Sequence, residues 1–222
     1  MTPLHRALAG LRSVAAELLD LVAPPACAAC DEPYPAHPPL CDACRSYLLP
    51  ADERPAGVSV TFEHGASLAR AIYRAKYDGD PAVAASLGAL LVETFEPPVE
   101  PYDAIVPVPL HPQRLRSRGY NQSRELSRAL ARHLRVPVLT DVVARARDTP
   151  SQTRLDRTAR RRNLEGAFVV TRPEGLRGRR LLVVDDVVTT GATLDSLRER
   201  LLAAGARSVH ATALSRASLG AR

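Results

Sequence analysis

Leu181-Leu182-Val183-Val184-Asp185-Asp186-Val187-Val188-Thr189-Thr190-Gly191-Ala192-Thr193 is the stretch that most narrows what this chain can fold into. Four consecutive apolar residues predict a strand buried on both faces, as in a parallel sheet. Two carboxylates follow at its C-terminal end, then a Thr/Gly turn, then Leu194, Leu197 and Leu201 at helical spacing. A strand that turns into a helix N-terminus presents unpaired backbone N–H groups and a positive dipole end, an arrangement suited to an anion. Thr189, Thr190 and Thr193 add hydroxyl donors, and Gly191 lets a phosphate come close to the backbone. Asp185 and Asp186, just upstream, suit vicinal sugar hydroxyls or a hydrated Mg²⁺. The turn calls for a phosphate and the acids for hydroxyls or a cation. A phosphorylated ribose offers both.

The run resembles the phosphoribosyl-pyrophosphate (PRPP) signature of type I phosphoribosyltransferases: an apolar strand, two acids, two apolar residues, then T-T-G-x-T. The plain alternative is an ordinary strand-to-helix turn that happens to carry two acids. Other phosphate loops do not fit. No Lys follows Gly191, as a Walker A loop requires, and the sequence has no G-x-G-x-x-G of the dinucleotide folds.

At 222 residues the chain has room for one α/β domain and a small appendage. Its basic residues are lopsided, 29 Arg against the single Lys76. Where they fall matters more. Residues 112–180 hold 18 Arg against six acids, a surplus of 12. That stretch faces anions, either the phosphates of a small substrate or a nucleic-acid backbone. No apolar run reaches the roughly 18 residues of a membrane span. Arg6, Arg12, Glu17 and Asp20 interrupt the apolar residues of the N-terminus, against a signal peptide. A cytoplasmic protein is expected.

Leu4, Leu8, Leu11, Val14, Ala15, Leu18, Leu19 and Val22 predict one amphipathic helix, ended by Pro24-Pro25 and packed on the rest of the protein. All four cysteines follow, as Cys27-x-x-Cys30 and Cys41-x-x-Cys44. Each C-x-x-C closes a turn that aims two sulfurs inward, which suits tetrahedral coordination of Zn²⁺. The segment between them, with Pro33, Pro35, Pro38 and Pro39, is too short and Pro-rich for a core of its own, so a structural metal cross-link is expected. The competing pairing is two disulfides, which belongs to oxidising compartments. A Pro-containing connector and short strand at 50–62 mark the predicted boundary between a 1–50 metal-binding module and a 51–222 domain.

Leu68, Ile72 and Tyr73 begin a helix stopped by Gly79 and Pro81, and Val83, Leu87, Leu90, Leu91 and Phe95 line a second. Lys76 closes the first. In a chain that otherwise uses Arg it reads either as a compact point charge that a guanidinium would not replace, or as one basic codon that stayed Lys. Asp103 to Pro107 reads as a buried strand turning into a rigid loop, Pro107-Val108-Pro109-Leu110-His111. Arg114, Arg116 and Arg118 follow, then Gly119-Tyr120-Asn121-Gln122-Ser123, which opens a helix. A guanidinium-rich loop at the C-terminal end of a parallel strand suits a pyrophosphate; a solvated basic turn is the alternative. Residues 141–147 and 166–171 alternate like antiparallel strands. Between them, 148–163 is long, polar and basic, the composition of a lid over bound phosphates or of a nucleic-acid-binding loop. Ser208 to Ser215 predicts a last strand.

From Cys27 to Arg216 the chain resembles the competence protein F (ComF) family. The likeness rests on the paired C-x-x-C knuckles, Lys76-Tyr77, Ile105 to His111 and Arg118-Gly119-Tyr120-Asn121-Gln122. It rests also on the run from Gln152 through Arg161, Asn163, Gly166 and Phe168 that precedes the signature. It implies a type I phosphoribosyltransferase fold: α/β, Rossmann-like, a mostly parallel sheet flanked by helices, with a small N-terminal four-cysteine zinc-binding module. It implies that Thr189, Thr190, Gly191, Ala192 and Thr193 cradle the 5′-phosphate of PRPP, and that Asp185 and Asp186 take the ribose hydroxyls as the catalytic pair. Pro107, Val108, Pro109, Leu110 and His111 would bind pyrophosphate with Mg²⁺, joined by Lys76, Arg118 and Arg161 from the loop and lid.

The activity so implied is phosphoribosyl (pentosyl) transfer, with pyrophosphate displaced from C1 of the sugar through an oxocarbenium-like state. The acceptor is a small molecule that the sequence does not name. One departure narrows it. Phosphoribosyltransferases for 6-oxopurines carry an Asp immediately before the T-G pair, and Thr189 stands there instead. A hydroxyl is no general acid or base near pH 7, so hypoxanthine–guanine transfer is not expected. The alternative is a non-catalytic accessory protein for DNA uptake, binding single-stranded nucleic acid through residues 112–180 and meeting partners in the uptake machinery.

Overall fold

The apolar run that heads the signature is one of the two inner strands of a four-stranded parallel sheet. This computed structural model describes residues 26–34, 40–52, 57–96, 99–148 and 166–217. The expected N-terminal helix and nearly all of the 148–163 segment, Arg161 included, lie outside them. Strand β5 (Arg180–Val188) sits between β2 (Ala104–Pro107) and β6 (Ser208–Arg216). β1 (Val58–Glu63) pairs with the far side of β6, so the order is β1-β6-β5-β2 and every pairing is parallel. Two short strands, β3 (Val143–Arg145) and β4 (Phe168–Val170), form the expected antiparallel pair.

Successive side chains of a strand point to opposite faces, and β5 divides its apolar residues accordingly. Leu182 and Val184 join Phe62, Ile105 and Leu214 in one cluster, covered by helices α2 (Ala66–Tyr77), α3 (Pro81–Glu93) and α5 (Gln122–Leu134) through Leu68, Ile72, Leu87, Leu91, Leu126 and Leu130. Leu181 and Val183 join Val60, Val106 and Ala213 in the other, covered by α6 (Ala192–Ala203) and by Phe168 of β4. A strand buried on both faces needs no polar alternation, which is why its sequence reads as an unbroken apolar run. Each fully buried Leu or Val contributes about 1.5–3 kcal/mol. The architecture is the α/β, mostly parallel, helix-flanked sheet that the sequence led one to expect.

The chain departs from the sequence reading in two places that shape the site. β5 does not end at Val184. It stays paired with β6 through Val187↔Ser215 and Val188↔Arg216, although β2 leaves at Pro107↔Val184. Asp185 and Asp186 therefore lie within the strand, along an edge that β2 has vacated. The arginines after His111 are also helical, on α4 (Pro112–Arg118). Pro112 supplies a preset first-turn φ, the His111 side chain accepts from Gln113 N, and Gly119 at φ 81° closes the end.

Helices α3 and α5 cross closely at Gly88. A Cβ there would lie 2.8 Å from the Ala129 Cβ and 3.3 Å from the Leu126 Cα, so only glycine fits without displacing α5. The cysteine segment packs on the same side. Cys27, Ala28, Ala29, Leu40 and Cys41 are buried in the cluster that holds α2 and α3, beside the one-turn helix α1 (Asp42–Arg45). Among the described residues no helix is long and apolar enough to cross a membrane.

Candidate functional site

The two carboxylates of β5 face different neighbours. Asp186 points to the α2–α5 side and is buried. Its Oδ2 lies 2.8 Å from Lys76 Nζ, at the end of α2, and accepts a long 3.5 Å bond from Gln122 Nε2. Its Oδ1 lies 3.0 Å from Val187 N. Asp185 is half-buried, and its Oδ1 accepts from Ser123 Oγ and from Asp186 N, both at 2.9 Å. The N-terminus of α5 thus meets both acids through adjacent residues.

That N-terminus is held in place by its own sequence. Asn121 caps the helix, accepting from Ser123 N at 3.0 Å, while its Nδ2 donates to Val108 O in the loop after β2 at 2.9 Å. Tyr120 Oη donates to the carbonyls of Ala75 and Asp80, tying the segment to the end of α2. Burial pushes the Tyr120 hydroxyl up to about 12, so it stays a donor at any ordinary pH.

The acids titrate differently. Burial, and after it the charge of Asp186, pushes the Asp185 carboxyl up to about 7. Burial acts on Asp186 too, but Lys76 outweighs it and holds that carboxyl below the ordinary range. Asp186 is ionised at neutral pH, and Asp185 is poised to change. Two more cationic or titratable groups act on the pair. Arg145 of β3, its guanidinium 5.6 Å over the Phe168 ring, is lowered by burial and by the nearby charge of Arg114, with Asp185 and Asp148 drawing it back. His64, whose Nδ1 lies 3.0 Å from Ser215 Oγ, is kept neutral by burial and by the charge of Lys76.

The turn after β5 is built as its residue types predict. Gly191 adopts φ 81° and caps α6, a left-handed conformation that side chains resist. Thr189 is exposed, and Thr190, Ala192 and Thr193 are half-buried around it. The Pro107–His111 loop lies where β2 ends, with Pro107 and Val108 buried and Pro109, Leu110 and His111 half-buried. Arg118 reaches back to α2, its guanidinium 5.4 Å over the Tyr77 ring, and adds positive potential at Asp186. Lys76, Asp185 and Asp186 are brought together, with the α6 turn continuing the same strand. Gln122 and Ser123, read in the sequence only as part of a motif and a helix start, join them, and so do Arg145 and His64, which the sequence reading did not single out. Val143, Ala144 and Arg145 alternate on a short strand, which puts Arg145 on the inward face with Val143, so a signal for that residue was present.

The four cysteines form a second, separate cluster. Their Sγ atoms all lie within 4.8 Å of one another, Cys30 and Cys41 at 3.7 Å, and none is in a disulfide. A tetrahedron with Zn–S bonds of about 2.3 Å has S–S edges of about 3.8 Å. Burial opposes charge on Cys27, but backbone N–H groups, chiefly those of Cys41 and Ala29, bring its thiol down to about 6, whereas burial drives Cys44 up to about 12. These four residues are positioned to hold a metal ion, and the set fits structural zinc. Arg74 latches the knuckle to α2: its Nη1 donates to Cys27 O at 3.4 Å and pairs with Asp31.

Residues 121–219 match the phosphoribosyl transferase domain family. Over 196 residues, 86% of this chain, it is 33% identical to the DNA utilization protein YhgH of Salmonella typhimurium (strain LT2), covering 83% of that protein. The chain belongs to the ComF family. Competence protein F of Haemophilus influenzae is 41% identical over 117 residues, 52% of this chain, and YhgH of Escherichia coli K12 is 41% identical over 114, 51% of this chain. In these two matches the ComF-family chain spans about half the relative's length, 51% and 49%. Among solved structures, the glutamine PRPP amidotransferase of B. subtilis aligns at 17% identity and TM-score 0.42, over 63% of this chain and 30% of that one. The purine phosphoribosyltransferase of Pyrococcus horikoshii aligns at 18% and 0.35, over 68% and 82%.

Proposed function

We propose that this protein binds PRPP with Mg²⁺ at Asp185–Thr193 and transfers its phosphoribosyl group to a small-molecule acceptor, releasing pyrophosphate. The observation that carries the proposal is the sequence of functions along one strand: two acids just past the point where β2 stops pairing, then a glycine-capped helix N-terminus. The α6 turn, Thr189 to Thr193, would hold the 5′-phosphate, and the acids the ribose hydroxyls. Pro107–His111, Lys76, Arg118 and Arg161 would face the pyrophosphate. The acids are hard oxygen donors and fit Mg²⁺, which when bound supplies charge to neutralise the leaving group. The chain's own part is to fix the sugar, exclude water and hold cations where negative charge develops.

The four thiolates would hold one structural Zn²⁺ in a 1–50 module ahead of the 51–222 catalytic domain. In the cytoplasm thiolate–metal ligation, not disulfide, is the stable state of such a cluster.

Thermal unfolding tests the proposal. At about 100 times Kd, a ligand that binds only the folded state stabilises it by about 2.7 kcal/mol, a rise of roughly 5–10 °C for a domain of this size. PRPP with Mg²⁺ should produce that rise, and Asp185→Asn should remove most of it while preserving the Lys76–Asp186 pair. An unshifted wild type would sink the proposal.

A second reading draws on the names of the relatives and the Arg-rich 112–180 stretch: an accessory protein that binds single-stranded nucleic acid during DNA uptake. Its affinity should then fall steeply with salt, with a log–log slope of about −0.7 per phosphate contact.

A further inference from the structure

Among the described residues, nothing satisfies one polar atom of Gln122. The residue is 3% exposed, at the first position of α5. Its amide has two ends, and only one has a partner. Nε2 approaches Asp186 Oδ2 at 3.5 Å; Oε1 is buried with no hydrogen bond. Turning the amide over gives no relief. It would set a carbonyl oxygen against an ionised carboxylate. The negative charge of Asp186, held by Lys76 on the same oxygen, therefore fixes the orientation.

A buried acceptor without a donor is costly to keep. Where such an atom belongs to a residue already touching a binding pair, the economical explanation is that the ligand brings the donor. The next residue, Ser123, donates to Asp185 Oδ1, so the α5 N-terminus touches both acids and offers one unused acceptor beside them. An acceptor calls for a hydroxyl, not a phosphate.

We infer that Gln122 Oε1 accepts a hydrogen bond from a sugar hydroxyl, the 2- or the 3-hydroxyl of the ribose, and so makes the site selective for ribose over its deoxy forms. The inference rests on the proposed PRPP function and deepens it: the acids hold the diol, and the amide reads whether a hydroxyl is there. A site built around a buried polar group rejects an analogue that leaves the group unpaired far more strongly than an apolar site rejects an added hydroxyl.

Calorimetric titration with ribose 5-phosphate, 2-deoxyribose 5-phosphate and 3-deoxyribose 5-phosphate tests this, on wild type, Gln122→Met and Asp185→Asn. Methionine keeps the length and unbranched shape of the side chain and removes both polar atoms. Wild type should prefer ribose 5-phosphate by more than about 100-fold over at least one deoxy sugar. Gln122→Met should lose part of that preference, beyond what the acids supply, by weakening ribose 5-phosphate alone, with inorganic phosphate binding unchanged and a melting transition that shows a folded protein. If wild type and Asp185→Asn behave as the PRPP proposal expects but Gln122→Met keeps the wild-type preference, the inference is wrong and the proposal stands. If wild type binds neither PRPP nor any of the sugar phosphates, both fall together.

Discussion

Lys76, the only lysine in the chain, places its Nζ 2.8 Å from Oδ2 of Asp186, 110 positions further along. The pair is mostly buried, with Lys76 22% exposed at its side chain and Asp186 9%. The acidic edge has a cation of its own, tethered on α2. A compact ammonium reaches this oxygen and leaves room for Gln122 beside it, which a planar guanidinium would crowd. That is a physical reason for a lysine in a chain that otherwise uses arginine.

Lys76→Ala should strand the Asp186 charge. Breaking a buried pair by removing one partner costs several kcal/mol, and partial exposure reduces this to about 1–3 kcal/mol here. Urea denaturation near pH 7.5 should show that loss, and PRPP affinity should fall with it. Lys76→Arg should recover stability in part but not the affinity. Wild-type behaviour in both variants would leave Lys76 with no role at the site.

Asp185 gives the fold a pH dependence of opposite sign to an ordinary salt-bridged acid. In the unfolded chain its carboxyl ionises at about 4; in the fold it is pushed up to about 7. Between those values the unfolded state releases its proton first. Asp185 therefore weakens the fold as pH rises from about 4 to 7, with no further change above. Asp185→Asn removes the titration. Its stability relative to wild type should climb across that window and then level, measured by urea unfolding at intervals from pH 4.5 to 8.5. A difference that is the same at every pH would contradict the raised carboxyl.

Tyr120→Phe should cost about 1–2 kcal/mol, because two carbonyls, Ala75 O and Asp80 O, lose their shared donor. The midpoint should drop by roughly 2–8 °C. Unchanged stability would mean that solvent serves those carbonyls equally well.

Freshly purified protein should contain about one equivalent of zinc, measured by elemental analysis with a thiol titration alongside. Metal-free folded protein would reject the zinc reading. Cys41→Ser should loosen more than its own knuckle, since Cys27, Leu40 and Cys41 share a cluster with Leu68, Ala71 and Leu87. Hydrogen exchange should rise in α2 as well as around residues 40–45.

The strand, turn and helix around Asp185 could be read from sequence because each depends on neighbours a few positions away. An unbroken apolar run, a glycine, and leucines at helical spacing all act locally. The antiparallel pair at 143–145 and 168–170 was legible for the same reason. α4 was not, although Pro112, His111 and Gly119 bracket it, because three arginines in seven residues leave no apolar face to announce a helix. The burial of Asp186 could not be seen either. It depends on β6 continuing past the point where β2 stops, and on a lysine brought from another helix. The unpaired oxygen of Gln122 is a property of the packed interior, and no spacing rule contains it.

Arg74 binds the cysteine knuckle two positions before Lys76, on the last turn of the same helix. If zinc fixes the knuckle and PRPP engages Lys76, neither event is private to its own end of α2. Reciprocity between two binding equilibria then follows as a thermodynamic necessity: by whatever factor metal loading changes the affinity for PRPP, saturating PRPP must change the affinity for zinc, measured by competition with a chelator at equilibrium. The cell's supply of zinc and its supply of activated ribose would each set how firmly this protein holds the other.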